Sequence, residues 1–262
     1  MRKSRILQKI SQGDVCLIAN ISFTNSFRTV EMASRMGYDG IWVDMEHRDF
    51  GYDDAAVMTL AARAADVDSV VRIRKDSYAD YFRPLEDGAA GIMVPHIKTR
   101  AEAEFAVYNA KYMPVGRRGM DGVGADTYYG LDGFDLAEAN RETFILVQVE
   151  DFEAVDVIEE IINVDGIGGI LVGPADLSQS YGHLKEYRHD SVLAAIRRVG
   201  KACAAAGKWW GTPVFDDEYM KWLIDEGGQF LALISDYGVL FEGLQRRLDS
   251  ARKTLEQIGK IS

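Results

Sequence analysis

Phe144-Ile145-Leu146-Val147-Gln148-Val149-Glu150 and, downstream, Gly169-Ile170-Leu171-Val172-Gly173-Pro174-Ala175-Asp176 decide the reading of this chain. Each is a short run of aliphatic and β-branched residues that ends on an acid. Such runs, apolar without alternation, read as strands buried on both faces of a parallel sheet. Between them, Glu153 to Ile162 repeats with a helical period, so the pair forms one strand-helix-strand unit. Neighbouring parallel strands would bring the two terminal carboxylates together at one rim. Like charges that close need a proton or a cation between them. A hard divalent ion with oxygen ligands meets that need, which makes Glu150 and Asp176 the candidate metal ligands. The plain alternative is a pair of solvated loop carboxylates.

The same alternation runs through the rest of the chain. Arg2 to Gln12 reads as an opening amphipathic helix ended by Gly13. Strands are predicted at Val15 to Asn20, Gly40 to Asp44, Ser69 to Arg74, Gly91 to Pro95, Phe144 to Glu150, Gly168 to Gly173, Trp209 to Pro213 and Phe230 to Ile234. Helices are predicted at Ser26 to Met36, with Gly37 as C-cap, and at Asp53 to Asp66, Tyr78 to Asp87 and Thr99 to Lys111. Further helices fall at Asp135 to Arg141, Glu153 to Ile162, Ser191 to Ala206, Asp216 to Glu226 and Leu240 to Ile258. Eight strands alternating with helices predict one (β/α)8 TIM barrel over residues 1–262, close to the ~250 residues usual for that fold. The rival is an open doubly wound sheet, but no Gly-rich dinucleotide turn follows the first strand. Gly166-Ile167-Gly168-Gly169 precedes a strand instead of opening a helix, so it is no nucleotide motif. Met113 to Phe134 is too long for a simple connection and reads as a functional loop.

Composition narrows the class of partner. Hydrophobic residues make up 47% and charged residues 27%, ordinary values for a soluble globular protein. A formal net charge of −11 argues against nucleic acid and anionic lipid, so small molecules are the expected partners. Cys16 and Cys203 lie in apolar surroundings and read as buried free thiols in a reducing cytoplasm. Met1 to Ser11 is charged and lacks the apolar core of a signal peptide. No apolar run approaches the ~20 residues needed to span a bilayer.

A barrel carries its chemistry at the C-terminal ends of its strands. Those ends offer Asp44, Glu46 and His47, then Arg72 and Arg74, His96, Gln148 with Glu150, Asp176, and Asp236. Two carboxylates without a histidine leave most of a coordination sphere to water and substrate. That suits Mg²⁺ or Mn²⁺ better than structural Zn²⁺. An α-keto acid could chelate such an ion, which would stabilise an enolate as a Lewis acid. His47, beside Glu46 and near Asp44, is the candidate base. Arg72, inside Val70-Val71-Arg72-Ile73, needs an anionic partner. That partner is a keto oxygen or substrate carboxylate in the functional reading, and Glu86 in the structural one. His96 reads as structural, and His183 and His189 as solvated. Lys75 and Lys98 make poor Schiff-base candidates, since neither is embedded in a strand. Trp209-Trp210 reads as barrel packing.

Several stretches together resemble the HpcH/HpaI aldolase family, the metal-dependent class II pyruvate aldolases acting on 2-keto-3-deoxy acids. They are Gly40 to His47, Val70 to Ile73, Gly88 to Pro95, Leu146 to Glu150 and Gly169 to Ser178, within a likeness covering roughly Gly13 to Leu248. The resemblance implies a (β/α)8 barrel, usually hexameric, whose last helix (about 240–258) is exchanged between subunits. It implies a divalent metal on Glu150 and Asp176, with Mg²⁺ or Mn²⁺ ahead of Co²⁺ or Zn²⁺. Pyruvate contacts would come from Gln148, Gly173, Ala175, Asp176 and Arg72, and the base would be His47. The acid that tunes this histidine falls at Glu86, with Asp87 beside it. The loop Arg117 to Gly130 keeps the family's Arg-Gly start and Tyr-Gly end but lacks the Ser/Ala-Arg-Ala segment between them. The implied reaction is cleavage of a 4-hydroxy-2-keto acid to pyruvate and an aldehyde. The alternatives are a keto-diacid decarboxylase, a citrate-lyase-like acyl-CoA lyase, or a non-catalytic barrel that binds a keto acid.

Overall fold

In a computed structural model that describes residues 2–131, 133 and 135–260, eight strands close into a parallel barrel in chain order. They are β1 (Cys16–Asn20), β2 (Gly40–Asp44), β3 (Asp68–Arg72), β4 (Gly91–Val94), β5 (Phe144–Val149), β6 (Gly169–Val172), β7 (Trp209–Pro213) and β8 (Phe230–Ser235). Each pairs with its sequence neighbour, and β1 also pairs with β8, which removes both sheet edges. The barrel predicted from the alternation is the fold observed.

Side chains alternate across every strand. One set, including Ile18, Trp42, Val70, Met93, Phe144, Leu146, Leu171, Trp209 and Phe230, packs together inside the barrel. The other set, including Ile92, Ile145, Val147, Ile170, Val172, Trp210 and Leu231, packs against the helices outside. Trp209 and Trp210 therefore fill opposite faces of β7, as barrel packing requires. The large interior rings need a gap opposite them. A Cβ at Gly91 would stand 2.4 Å from the Phe144 ring.

The helices are α1 (Arg5–Ser11), α2 (Phe27–Met36), α3 (Tyr52–Ala64), α4 (Arg83–Glu86), α5 (Arg100–Ala110) and α6 (Leu136–Glu142). They continue as α7 (Phe152–Asp156), α8 (Ile158–Ile162), α9 (Pro174–Ser180), α10 (Asp190–Ala205), α11 (Asp217–Asp225) and α12 (Asp236–Gln257). Several of these differ from expectation. The helix expected over Tyr78 to Asp87 is a 3₁₀ turn at Tyr78–Tyr81 followed by the short α4. Pro84 has no N–H to give Asp80, and its ring excludes a continuous helix through that turn. The helix over Glu153 to Ile162 breaks at Val157, whose backbone (φ −116°, ψ 23°) leaves the helical region. Helix α9 went unanticipated, although Pro174 at its first turn is a start signal.

Strand β3 ends at Arg72, short of Arg74, whose guanidinium bonds the Phe50 carbonyl. Helix α12 begins at Asp236 instead of Leu240, because Ser235 caps it through the Gly238 N–H. Val239, Leu240, Phe241, Leu244 and Leu248 along it remain exposed. The loop from Met113 starts against the end of α5, where the Arg117 N–H meets the Tyr108 carbonyl, and crosses to α4 with a 3₁₀ turn at Ala125–Gly130. Asp132 and Phe134, at the end of that predicted loop, lie outside the described residues. Cys16 and Cys203 are free and buried. Among the described residues, no helix is long and apolar enough to cross a membrane.

Candidate active site

Glu150 directly follows β5, and its 1% exposure makes it one of the most buried charged groups of the barrel. Burial pushes its carboxyl up to about 7. His96 and its backbone N–H pull the other way, while Glu46 and Asp176 push further up. The Glu150 oxygens are addressed individually. Oε1 accepts the His96 N–H at 3.0 Å, and Oε2 accepts from the Gln148 amide. Register explains the second bond, since residues two apart on a strand share a face. Asp176 lies in the first turn of α9, half-buried. Between them Gly173 is required for space. A Cβ there would fall 2.4 Å from Glu150 Oε2 and 3.0 Å from Gln148 Nε2. The two strand-end acids expected to share one rim do so, with Gln148 and Gly173 beside them. Ala175, on the same turn, is exposed.

A second acidic group faces the first. Asp44 and Arg72 are register partners on β2 and β3. Arg72 Nε reaches Asp44 Oδ1 at 2.9 Å, Nη2 reaches Oδ2 at 2.5 Å, and Nη1 reaches Glu46 Oε2 at 3.0 Å. The anionic partner that a buried arginine demands is thus supplied by Asp44 and Glu46, not by Glu86. The guanidinium lies over the Trp42 ring, 5.1 Å from its centroid. With five N–H groups on a guanidinium, Arg72 keeps donors to spare for a ligand.

Two imidazoles flank Glu46. His47 is exposed, with Nε2 3.8 Å from Glu46 Oε2. His96 sits deeper, with Nδ1 3.0 Å from Asp151 and 3.5 Å from Glu150, and Nε2 3.9 Å from Glu46 Oε1. Burial opposes charging His96. The Asp151 hydrogen bond and the fields of Glu150, Asp151 and Glu46 outweigh it, so its pKa stands above the ordinary imidazole value. His96 also holds a left-handed backbone (φ 48°), a conformation that clusters at functional sites. From the sequence alone it reads as structural. Its position after β4, matching that of His47 after β2, was the available signal.

Glu86 is placed elsewhere. It closes α4 on the rim where strands begin, paired with Arg83 at 3.3 Å. Burial raises its carboxyl, and Arg118 and Arg83 pull it back. Arg118 and Asp126 form a buried pair there at 2.8 Å, and Asp126 shares a cleft with Asp68, Ala90 and Glu142 at strand starts. Within one chain, the acid beside His47 is Glu46. Lys75 and Lys98 are engaged, with the His96 carbonyl and Asp151 respectively. His183 and His189, expected to be solvated, are half-buried and stacked on each other.

The mouth is also short of partners. Gln148 Oε1, Asn20 Oδ1 and Trp42 Nε1 are buried there without hydrogen bonds. Buried polar atoms left unpaired are costly and call for a ligand or water. Buried carboxylate oxygens around spare donors form a site that suits a cation together with a small oxygen-rich anion.

Residues 22–242 match the family described as HpcH/HpaI aldolase/citrate lyase. The chain belongs to that family. Membership makes it an enzyme of the aldolase and lyase kind. The chain is 34% identical over 219 residues to a hydroxypyruvate/pyruvate aldolase of Sagittula stellata, covering 82% of this chain and 87% of that one. It is 31% identical over 229 residues to a 5-keto-4-deoxy-D-glucarate aldolase of Escherichia coli, covering 86% and 88%. A solved HpcH/HpaI aldolase from Desulfitobacterium hafniense superposes with a TM-score of 0.87 at 26% identity, covering 100% of this chain and 98% of that one. The citrate synthase SbnG superposes with a TM-score of 0.86 at 28% identity, covering 95% and 98%.

Proposed function

We propose that this HpcH/HpaI enzyme cleaves a 4-hydroxy-2-keto acid to pyruvate and an aldehyde, with a divalent ion held by Glu150 and Asp176, and runs the reverse addition. The observation that carries this reading is Glu150 itself. It is a carboxyl at 1% exposure, raised to about 7, that faces two further acids. A cation there would restore its charged form and relieve the repulsion.

When bound, the divalent ion supplies a Lewis acid for the keto oxygen and its developing negative charge. All-oxygen ligands favour Mg²⁺ or Mn²⁺. Gln148, fixed by its bond to Glu150, holds one ligand carboxylate oriented and presents Oε1 to the site. Gly173 and Ala175 leave the backbone of the α9 turn open to a small keto acid. Arg72, locked by Asp44, aims its spare N–H groups at the substrate's oxygens. His47, at the open edge beside Glu46, is placed to take the proton of the 4-hydroxyl. The C3–C4 bond then breaks, the aldehyde leaves, and the electron pair stays on the pyruvate fragment as its enolate. Protonation at C3 completes pyruvate. The exposed apolar edge of α12 supports a homo-oligomer, the hexamer of the family included.

The test is pyruvate release from 4-hydroxy-2-keto acids, with added Mg²⁺ or Mn²⁺ and with excess chelator. Glu150→Ala and Asp176→Ala should abolish turnover and metal dependence together. Activity that persists in excess chelator would sink the metal reading. Oxaloacetate is the second arm: its decarboxylation without any aldol cleavage would favour a keto-diacid decarboxylase.

A further inference from the structure

We propose that His183, Glu186 and His189 form a second metal site, for a borderline transition-metal ion such as Zn²⁺, on the loop between α9 and α10. The side-chain ligand atoms of these three residues lie within 4.8 Å of one another. A periodic backbone brings them there. Glu186 N–H donates to the His183 carbonyl at 2.9 Å, and His189 N–H donates to the Glu186 carbonyl at 2.9 Å. Two successive turns with a three-residue step, the first passing through Lys185 in a left-handed conformation (φ 67°), bring the side chains at 183, 186 and 189 together. Both ends of the loop are fastened. His183 N–H donates to the Ser178 carbonyl at 2.7 Å, and the His189 carbonyl accepts the first N–H groups of α10 from Val192 and Leu193. The cluster is therefore held by backbone that exists without an ion.

The side chains fit such an ion chemically. The two imidazoles stack with centroids 3.4 Å apart and planes 16° apart. One ion brings a nitrogen of each ring and the Glu186 carboxylate into a shared coordination sphere. His189 Nδ1 lies 2.9 Å from Ser191 Oγ. The same Nδ1 accepts the Ser191 N–H at 3.3 Å and so caps α10. Binding an ion through Nε2 places the ring proton on Nδ1, which then donates to the Ser191 hydroxyl in place of the weaker cap bond, the supporting contact that metal-binding histidines usually have. Zn–N bonds of ~2.0–2.1 Å imply ligand separations of roughly 3.4 Å, so modest side-chain rotations close the site. Two nitrogens and one carboxylate leave a fourth position to water. This donor set prefers Zn²⁺, Co²⁺ or Ni²⁺ to Mg²⁺, the opposite of the all-oxygen pair Glu150 and Asp176.

The experiment is a Zn²⁺ titration of the full chain against a chromophoric chelator, with saturating Mg²⁺ present to occupy the carboxylate site. The wild type should retain one equivalent of Zn²⁺. His183→Ala and His189→Asn should each weaken it by at least about tenfold. Asn is chosen at 189 because it can still cap α10. Glu150→Gln should keep the equivalent in full, which separates this site from the catalytic one. Zn²⁺ should raise the melting temperature of the wild type and not that of His183→Ala, while both retain their Mg²⁺-supported turnover. No Zn²⁺ retained by the wild type, full retention by His183→Ala, or loss in Glu150→Gln would each overturn the proposal.

Discussion

Asp44 and Arg72 are direct register partners on β2 and β3, and they meet through two parallel bonds in a nearly closed environment, 2% and 7% exposed. Burial pushes the Asp44 carboxyl up, but the bonds and charge of Arg72 outweigh it and leave its pKa below the usual carboxylate range. The pair binds the strand ends together and fixes the guanidinium over Trp42.

Removing one partner leaves the other charge buried alone, which costs roughly 3–5 kcal/mol. Arg72→Met is therefore expected to unfold at markedly lower denaturant than wild type. Arg72→Lys keeps the charge but cannot reproduce the two-point bond. It should remain folded and lose kcat by on the order of 10²-fold, the scale of a missing transition-state donor. Denaturation curves and steady-state rates on both variants separate the two roles. Wild-type kcat in Arg72→Lys would show that Arg72 is purely structural.

Gly173 tests the crowding at the acid pair. Its Cβ would stand 2.4 Å from Glu150 Oε2 and 2.9 Å from Glu150 Cβ, so Gly173→Ala must displace that carboxylate. The enzyme is expected to need at least about tenfold more divalent metal for half-maximal turnover, since small displacements of a ligand cost that much. Unchanged metal dependence would remove Gly173 from the site.

The two histidines can be told apart by rate. His47 is solvent-facing beside Glu46, whereas His96 is bonded to Asp151 and next to Glu150. His47→Asn should lower kcat by roughly 10²–10⁴-fold, the range for a general base. His96→Asn keeps the backbone N–H to Glu150 and tolerates the left-handed backbone at this position. Its effect on kcat should be smaller, and its main effect should be on metal dependence. The reverse order would make His96 the base.

The barrel and one rim of the site were legible because both rest on periodicity. Apart from Gln148, Phe144 to Val149 and Gly169 to Val172 are apolar, and an acid after each must emerge at the strand end. Sequence spacing does not report which rim a helix end reaches. Glu86 is near Arg72 in the chain, yet α4 carries it to the rim where strands begin. Nor does spacing report backbone hand or loop packing. The left-handed turn at His96 decides that its ring meets Glu150 and Asp151. Two tight turns decide that His183 and His189 stack. Asn20 and Trp42 became site candidates only once their polar atoms proved buried and unpaired.

Lys111 links pH to stability away from the site. Its ammonium is buried, and donates to the carbonyls of Asn140 and Thr143 at 2.7 and 2.6 Å and to Thr143 Oγ1 at 3.2 Å. These bonds tie the end of α5 to the residues that lead into β5. Burial pushes its pKa down to about 7, and Arg118 and Lys208 push the same way. A lysine whose folded pKa lies below its unfolded one binds fewer protons folded than unfolded between the two values. Stability must then rise with pH across that window, from about 7 towards the ordinary lysine value near ~10.4. Lys111→Met removes the titration and leaves the three acceptors unpaired, which costs about 1–3 kcal/mol for each acceptor that water cannot reach. Denaturant unfolding at several pH values is expected to show wild type gaining stability relative to Lys111→Met as the pH is raised through the window. A difference between the two that stays flat with pH would place the folded pKa of Lys111 at its ordinary value, with the three bonds holding the ammonium charged.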